Sequence, residues 1–216
     1  MPEVRAALKV TRRGYRAWKS RPSGEKRASK RESPDDLVKR RFEAGGPNAA
    51  RLAGIAYVKT RQGWLYLALA TGIWSRRIAG WSMGPNITAG LADDALKMAL
   101  ARRNPPDGCV HRSDHGSRYV SPPLSKTVRE RGIGPSMGSI SSPWDNAAME
   151  SPMGIVESEC AHAQAYAARE EAALDLFEYI EVVCNRARMH SALGYLGPAE
   201  FEKANWPKEN SRPKAA

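Results

Sequence analysis

Apolar and polar positions along the middle of this 216-residue chain are spaced first as strands and then as helices. Residues 52–58, 64–70 and 78–83 are short runs rich in Val, Ile, Leu, Tyr and Trp, separated by Arg61-Gln62-Gly63 and by residues 72–77. Such side chains suit a pleated, half-buried surface, and connections this short join antiparallel neighbours, so a three-stranded meander is expected. From Thr88 to Arg103 the period changes. Leu91, Ala95, Met98 and Ala99 recur at helical intervals, Thr88 supplies a capping hydroxyl, and Asn104-Pro105-Pro106 closes the run. A short strand at 109–111 and a helix over 125–132 ending on Gly132 follow, while the Ser/Gly/Pro-rich residues 135–143 read as a mobile loop. Helices are expected over 146–161 and 169–188, the second with Leu174, Phe177, Ile180 and Val183 on one apolar face, and a frayed polar tail after Pro207. Strands, a helix, a strand and further helices make an α/β arrangement around a mixed sheet.

With 42% hydrophobic residues the chain can bury a real core. It contains no run of eighteen apolar residues, and Met1-Pro2-Glu3-Val4-Arg5 does not open a signal peptide, so no membrane association and a cytoplasmic, nucleoid-associated location are expected. Cys109, Cys160 and Cys184, odd in number and widely spaced, read as free thiols. The net charge of +11 favours an acidic polymer as partner, nucleic acid foremost. That charge is concentrated: residues 1–42 hold 14 Lys/Arg against 5 Asp/Glu, and the remainder 20 against 18. Residues 20–34, SRPSGEKRASKRESP, form a flexible basic linker, for which solvation is as ordinary an explanation as phosphate binding.

Candidate chemistry begins directly after the short strand, in His111-Arg-Ser-Asp114-His115-Gly116-Ser117. An acid at a strand's C-terminal end sits where α/β proteins build sites, although an Asp near a Gly is also ordinary turn chemistry. A second acid, Glu150, follows 35 intervening residues later in Asp145-Asn-Ala-Ala-Met-Glu150-Ser151, one turn into a helix.

These phrases, with Gly63-Trp-Leu-Tyr-Leu67, Ser75-Arg-Arg77, Gly80-Trp81, Pro135-Ser-Met-Gly138, Asn185-Arg-x-Arg188 and His190-Ser-Ala-Leu-Gly-Tyr195, resemble a known family. Residues 47 to about 201 look like the integrase core of second-frame (OrfB-type) transposases of the insertion-sequence three family, within the retroviral-integrase superfamily of DDE strand-transfer enzymes. The resemblance implies an α/β, ribonuclease-H-like fold with a mixed five-stranded sheet flanked by helices, joined to a basic flexible N-terminal arm. It further implies two divalent ions (Mg2+ or Mn2+), double-stranded DNA (element ends and target) as partner, homo-oligomers, and metal-dependent cleavage and joining of DNA. Asp114 and Glu150 match the second and third acidic positions, as catalytic residues and metal ligands. Three carboxylates are needed because two hard cations about 3.5–4 Å apart require several oxygen ligands, at least one of them bridging.

The first acidic position is occupied by Gly54, in Ala53-Gly-Ile-Ala-Tyr57. Neither Glu43 nor Asp93/Asp94 is placed by the pattern to replace it. Gly72 stands where the family has an aspartate, and Glu157 where it has a lysine or arginine facing DNA. The implied organisation is a truncated basic segment and linker over 1–46, the catalytic core over 47–165, its C-terminal helical part over 166–205 and a tail over 206–216. The reading is an integrase core impaired at Gly54; the alternative is a non-enzymatic DNA-binding remnant that occupies element ends or joins multimers with intact transposase. Arg186, Arg188 and His190, with Arg12, Arg13 and Lys19 of the arm, are the candidate DNA contacts, against a solvated face. His115 either tunes Asp114 or sits in a turn, Trp64, Trp74 and Trp81 read as packing rather than base-stacking platforms, and Cys109-Val-His111 with Cys160-Ala-His162 is a weak zinc pattern. If the arm carries the DNA-binding charge, removing residues 1–42 should lower the slope of log K against log salt by several units in a filter-binding titration; an unchanged slope would place that charge in the core.

Overall fold

The computed structural model describes residues 44–113, 121–137, 152–161 and 165–207. The expected meander is there: β1 (Ala50–Thr60), β2 (Gly63–Gly72) and β3 (Ile78–Gly84) pair antiparallel, with β1 and β2 in unbroken register from Arg51↔Gly72 to Thr60↔Gly63. β4 (Val110–Ser113) pairs parallel with the start of β1, and β5 (Gly134–Met137) parallel with β4, giving a mixed five-stranded sheet in the order 3-2-1-4-5. β5 corrects the loop expected at 135–143. Its composition is that of a turn, but it lies at the sheet edge, where Pro135 and its missing N–H are tolerated. Residues 138–143 lie outside the described residues.

Two helices cover one face. α1 (Ala89–Arg103) starts as the sequence predicts, with Thr88 Oγ1 accepting the Leu91 N–H at 3.1 Å, and ends on Asn104 in the left-handed region. α2 (Pro122–Glu130) begins earlier than expected, with prolines opening its first turn. Ala53 packs with Ala92, Leu96, Leu124 and Val128, and Ala68 with Leu91 and Ala95. The approach of α1 to β3 is closest at Gly80, where an added Cβ would lie 2.2 Å from the Ala95 carbonyl oxygen and 2.5 Å from the Ala99 nitrogen. Only a residue without a side chain lets this helix backbone rest on the strand.

The other face carries the larger cluster, in which Ala56, Val58, Leu65, Leu67 and Leu69 meet Met153, Val156, Cys160, Tyr166, Leu176 and Ile180. Residues 152–156 are α-helical and continue into a π-helical turn, Glu157–Ala161; the earlier part of the helix expected over 146–161 lies outside the described residues. The helix expected over 169–188 is α3 (Arg169–Glu178) running into a nine-residue π-helix, Tyr179–Ala187. Its apolar face differs from the expected one: Ala172, Leu176, Ile180 and Cys184 are buried, whereas Leu174 is 71% and Phe177 46% exposed. Small side chains at 172 and 184 let the helix sit close, and Phe177 packs edge-on against Trp81 at its margin. The π-helix brings Asn185 against β3, where its amide accepts from the Ile78 N–H (2.8 Å) and donates to the Ile78 carbonyl (3.0 Å). A last helix, α4 (Pro198–Asn205), which the periodicity did not announce, docks Glu202 inward.

Because Gly80 leaves no room for a Cβ against α1, Gly80→Ala should destabilise the chain by about 3 kcal/mol in urea unfolding. A loss under 1 kcal/mol would mean that α1 can retreat from the sheet at little cost.

Candidate active site

Side chains alternate across β1, and their neighbours identify the two faces. Ala53 and Ile55 belong with α1 and α2, whereas Ala56 and Val58 belong with the helix through residues 152–161. Gly54, being even-numbered and half-buried, lies on the second face, the one covered by the helix through residues 152–161. β4 pairs with β1 from Ala50↔Val110 to Leu52↔Arg112, so its last residue, Ser113, ends one register step short of Gly54. Asp114, His115 and Glu150 lie outside the described residues, as do Glu43, Arg12, Arg13 and Lys19. β4 therefore ends beside β1 at the level just before Gly54, and the helix through residues 152–161 packs on the face that Gly54 shares.

No described carboxylate stands in at that position. Asp93 is buried at 3% exposure, but on α1, across the sheet, and both its oxygens are engaged: Thr127 Oγ1 donates to it at 2.6 Å and the Lys97 ammonium lies 2.8 Å away. Asp94 is exposed on the same helix. Glu157 does share the Gly54 face, yet its Oε1 accepts the Tyr57 backbone N–H at 3.3 Å, three residues further along β1. Among the described residues no three His, Cys, Asp or Glu side chains gather as a metal site. Among the described residues, then, no oxygen-bearing side chain stands at this position of β1, which contributes a glycine.

The candidate DNA contacts are differently disposed. Arg186 is exposed. Arg188 is held by Glu159, its Nη2 donating to Oε1 at 2.6 Å, while the Tyr179 hydroxyl donates to the same carboxylate at 2.7 Å. Those two hydrogen bonds, that from Arg188 first, hold the Glu159 carboxyl below its usual range. His190 is half-buried with its N–H donated to the Leu196 carbonyl, and burial, then Arg188 and Arg76, lower its pKa. The weak zinc pattern does not assemble from the described residues. Arg51 pairs with His111, which places Cys109 and His111 on the α1 face, Cys160 belongs to the opposite cluster, and His162 lies outside the described residues. The three cysteines are free and buried. Trp64 is 47% exposed and meets Tyr57 edge-on, Trp74 packs against Phe201 and Trp206, and Trp81 donates its indole N–H to Glu181 at 3.1 Å.

Two buried polar groups have no sequence motif to announce them. Glu202 accepts from Ser75 (2.7 Å), Arg77 (2.8 Å) and Arg103, tying α4 to the β2–β3 turn and to the end of α1. Arg51 and His111, cross-strand partners on β1 and β4, are 2% and 4% exposed. Burial first, then the neighbouring Arg51 guanidinium, pushes the His111 pKa down to about 4.

Two integrase core domain families match, one over residues 47–143 and the other over 150–205. The chain is 38% identical over 201 residues to the transposase InsF for insertion sequence IS3A of Escherichia coli (strain K12), spanning 92% of this chain and 70% of that protein. It is 36% identical over 173 residues to the transposase for insertion sequence element IS904 of Lactococcus lactis subsp. lactis, 80% and 68% of the respective chains. In fold it is similar to the HTLV-2 integrase catalytic core domain in complex with magnesium, with a TM-score of 0.55 at 12% identity over 73% of this chain and 98% of that one. It is also similar to a chain of the simian T-cell lymphotropic virus intasome bound to the PP2A regulatory subunit B56 gamma, with a TM-score of 0.62 at 14% identity over 87% and 64%.

Neutral burial of His111 makes stability depend on pH. Its folded pKa lies below the unfolded value near 6.5, so its contribution is complete above pH 6.5 and is lost as pH falls towards 4. The loss should be on the order of 3 kcal/mol, read from urea midpoints between pH 7 and 4. His111→Gln should flatten that part of the profile, and an unchanged profile would assign it to carboxylates instead.

Proposed function

Because the chain belongs to the IS3-family transposases and carries their integrase core, we propose that it acts in DNA transposition through a strand-transfer site impaired at Gly54. What carries this reading is the place of Gly54: mid-strand in β1, on the face shared with the helix that follows Glu150, at the level where β4 leads into Asp114. An oxygen-bearing side chain there would complete a set of three carboxylates, the donor chemistry that hard divalent ions such as Mg2+ or Mn2+ require. Asp114 and Glu150 are the two ligands the chain retains in this proposal, and double-stranded DNA is the substrate. Arg186, exposed beside the core, and Arg12, Arg13 and Lys19 of the arm are proposed to contact the phosphate backbone, with half-buried His190 beside them; Arg188 reaches DNA only if Glu159 releases its guanidinium. Self-association on DNA and a nucleoid-associated, cytoplasmic location complete the proposal. No helix among the described residues is long and apolar enough to cross a membrane.

The same glycine favours a second reading, in which the chain binds DNA without cutting it and joins multimers with intact transposase. The two separate in one assay of cleavage and strand transfer on duplexes bearing element ends. The unaltered chain should be nearly inactive. Gly54→Asp should raise metal-dependent cleavage about a thousandfold, the equivalent of roughly 4 kcal/mol. A folded Gly54→Asp chain without activity would support the binding-only reading, and robust joining by the unaltered chain would refute the impairment.

A further inference from the structure

At the end of the sheet where β1 begins and β2 finishes, Arg51 and Gly72 face each other as direct cross-strand partners. Residues paired this way project to the same side, so a side chain at 72 would meet Arg51. There is none: a Cβ built on Gly72 would touch the Arg77 carbonyl at 3.8 Å and the Ser75 hydroxyl at 3.9 Å in ordinary contact, so a side chain could begin there without a clash. The result is a recess lined by Asn48, Arg51, Gly72, Trp74, Arg77 and Arg103, among others.

The charge in and around this recess is unbalanced. Arg51 is 2% exposed, and neither Nη1 nor Nη2 has a hydrogen-bond partner. A guanidinium stays protonated at any ordinary pH, and a buried charge without a counterion is among the costliest arrangements in a protein. Arg77 and Arg103 lie beside it, and the one carboxylate bound to them, Glu202, is fully occupied by these two arginines and Ser75. Among the described residues, two of the three guanidinium groups share the Glu202 carboxylate and Arg51 has none. Those two are graded outward, the Arg103 side chain 15% and the Arg77 side chain 36% exposed, which leaves two partly exposed cations at the rim of the recess. Trp74, packed by Phe201 and Trp206, walls the recess and lowers its local polarity.

We propose that this recess binds one phosphate group, with an oxygen on the Arg51 guanidinium and the remainder at the rim by Arg77 and Arg103. A planar fork matches two oxygens of a tetrahedral oxyanion, and the outer arginines supply the second charge that distinguishes phosphate from a halide. Arg51 lies three residues before Gly54 on β1 but projects to the other face of the sheet, so the recess does not share the face of Gly54. The group comes from free orthophosphate or from a DNA backbone.

The test is thermal unfolding of the full chain in orthophosphate against chloride at equal ionic strength. Phosphate at a hundredfold over its Kd should raise Tm by roughly 5–10 °C beyond chloride. Gly72→Asp should melt higher than the unaltered chain without phosphate and lose the response, because the new carboxylate takes the place of the anion. Arg51→Met should lose the response as well; should it not fold, Gly72→Asp, which keeps Arg51, carries the test. Anisotropy of a labelled duplex separates the sources. A Gly72→Asp chain that binds DNA several-fold more weakly assigns the site to backbone phosphate, and unchanged binding assigns it to the free ion. Equal stabilisation by chloride, or a full phosphate response in Gly72→Asp, overturns the proposal.

Discussion

The two-residue period of β1 is the constraint on which everything else in this molecule rests. The strand is central, and its register with β2 runs unbroken from Arg51 to Thr60. Each of its residues is therefore committed to one of two faces, and a slip by one position would exchange them. Ala53 and Ile55 receive α1 and α2; Ala56 and Val58 receive the helices that follow Glu150. The parity that puts Gly54 on the second face also puts Asp93 and Asp94 beyond its reach, since α1 covers the first. The same parity sends Arg51 towards Arg103 and His111.

This explains what could be read in the residues and what could not. The meander and α1 were legible because Val, Ile, Tyr and Trp cluster in runs of strand length and because Thr88 and Asn104 punctuate a 3.6-residue period. The family was legible from short phrases, and Gly54 stood out only against them. β5 was hidden because Gly134-Pro135-Ser136-Met137 has the composition of a turn, and only its neighbour β4 makes it a strand. The buried face of α3 was misjudged by size. Leu174 and Phe177 drew the eye, but Ala172 and Cys184 are the residues that allow close approach, and the π-helix from Tyr179 onward departs from the 3.6-residue period on which the judgement rested.

The buried polar groups were illegible for a different reason. Arg51, Thr127 and Glu202 carry no spacing signature; each acquires its role from neighbours distant along the chain, such as Asp93 for Thr127, 34 residues away, and Ser75 for Glu202, 127 residues away. Glu202 gathers donors from the β2–β3 turn and from the end of α1, so α4 acts as a clasp closed by one carboxylate. Such a hub is costly to break, because losing the acid would leave two partly buried guanidinium groups facing each other.

Ile78 opens β3, an edge of the sheet, and Asn185 satisfies both its N–H and its carbonyl as a neighbouring strand would. Glu157 does the same for the Tyr57 N–H, beyond the point where β4 stops pairing with β1. Single side chains thereby occupy backbone groups that would otherwise offer a template for strand addition by another chain, the usual route from an open sheet to aggregation. Asn185 and Glu157 thus do for open stretches of backbone what the sheet's own strands leave undone.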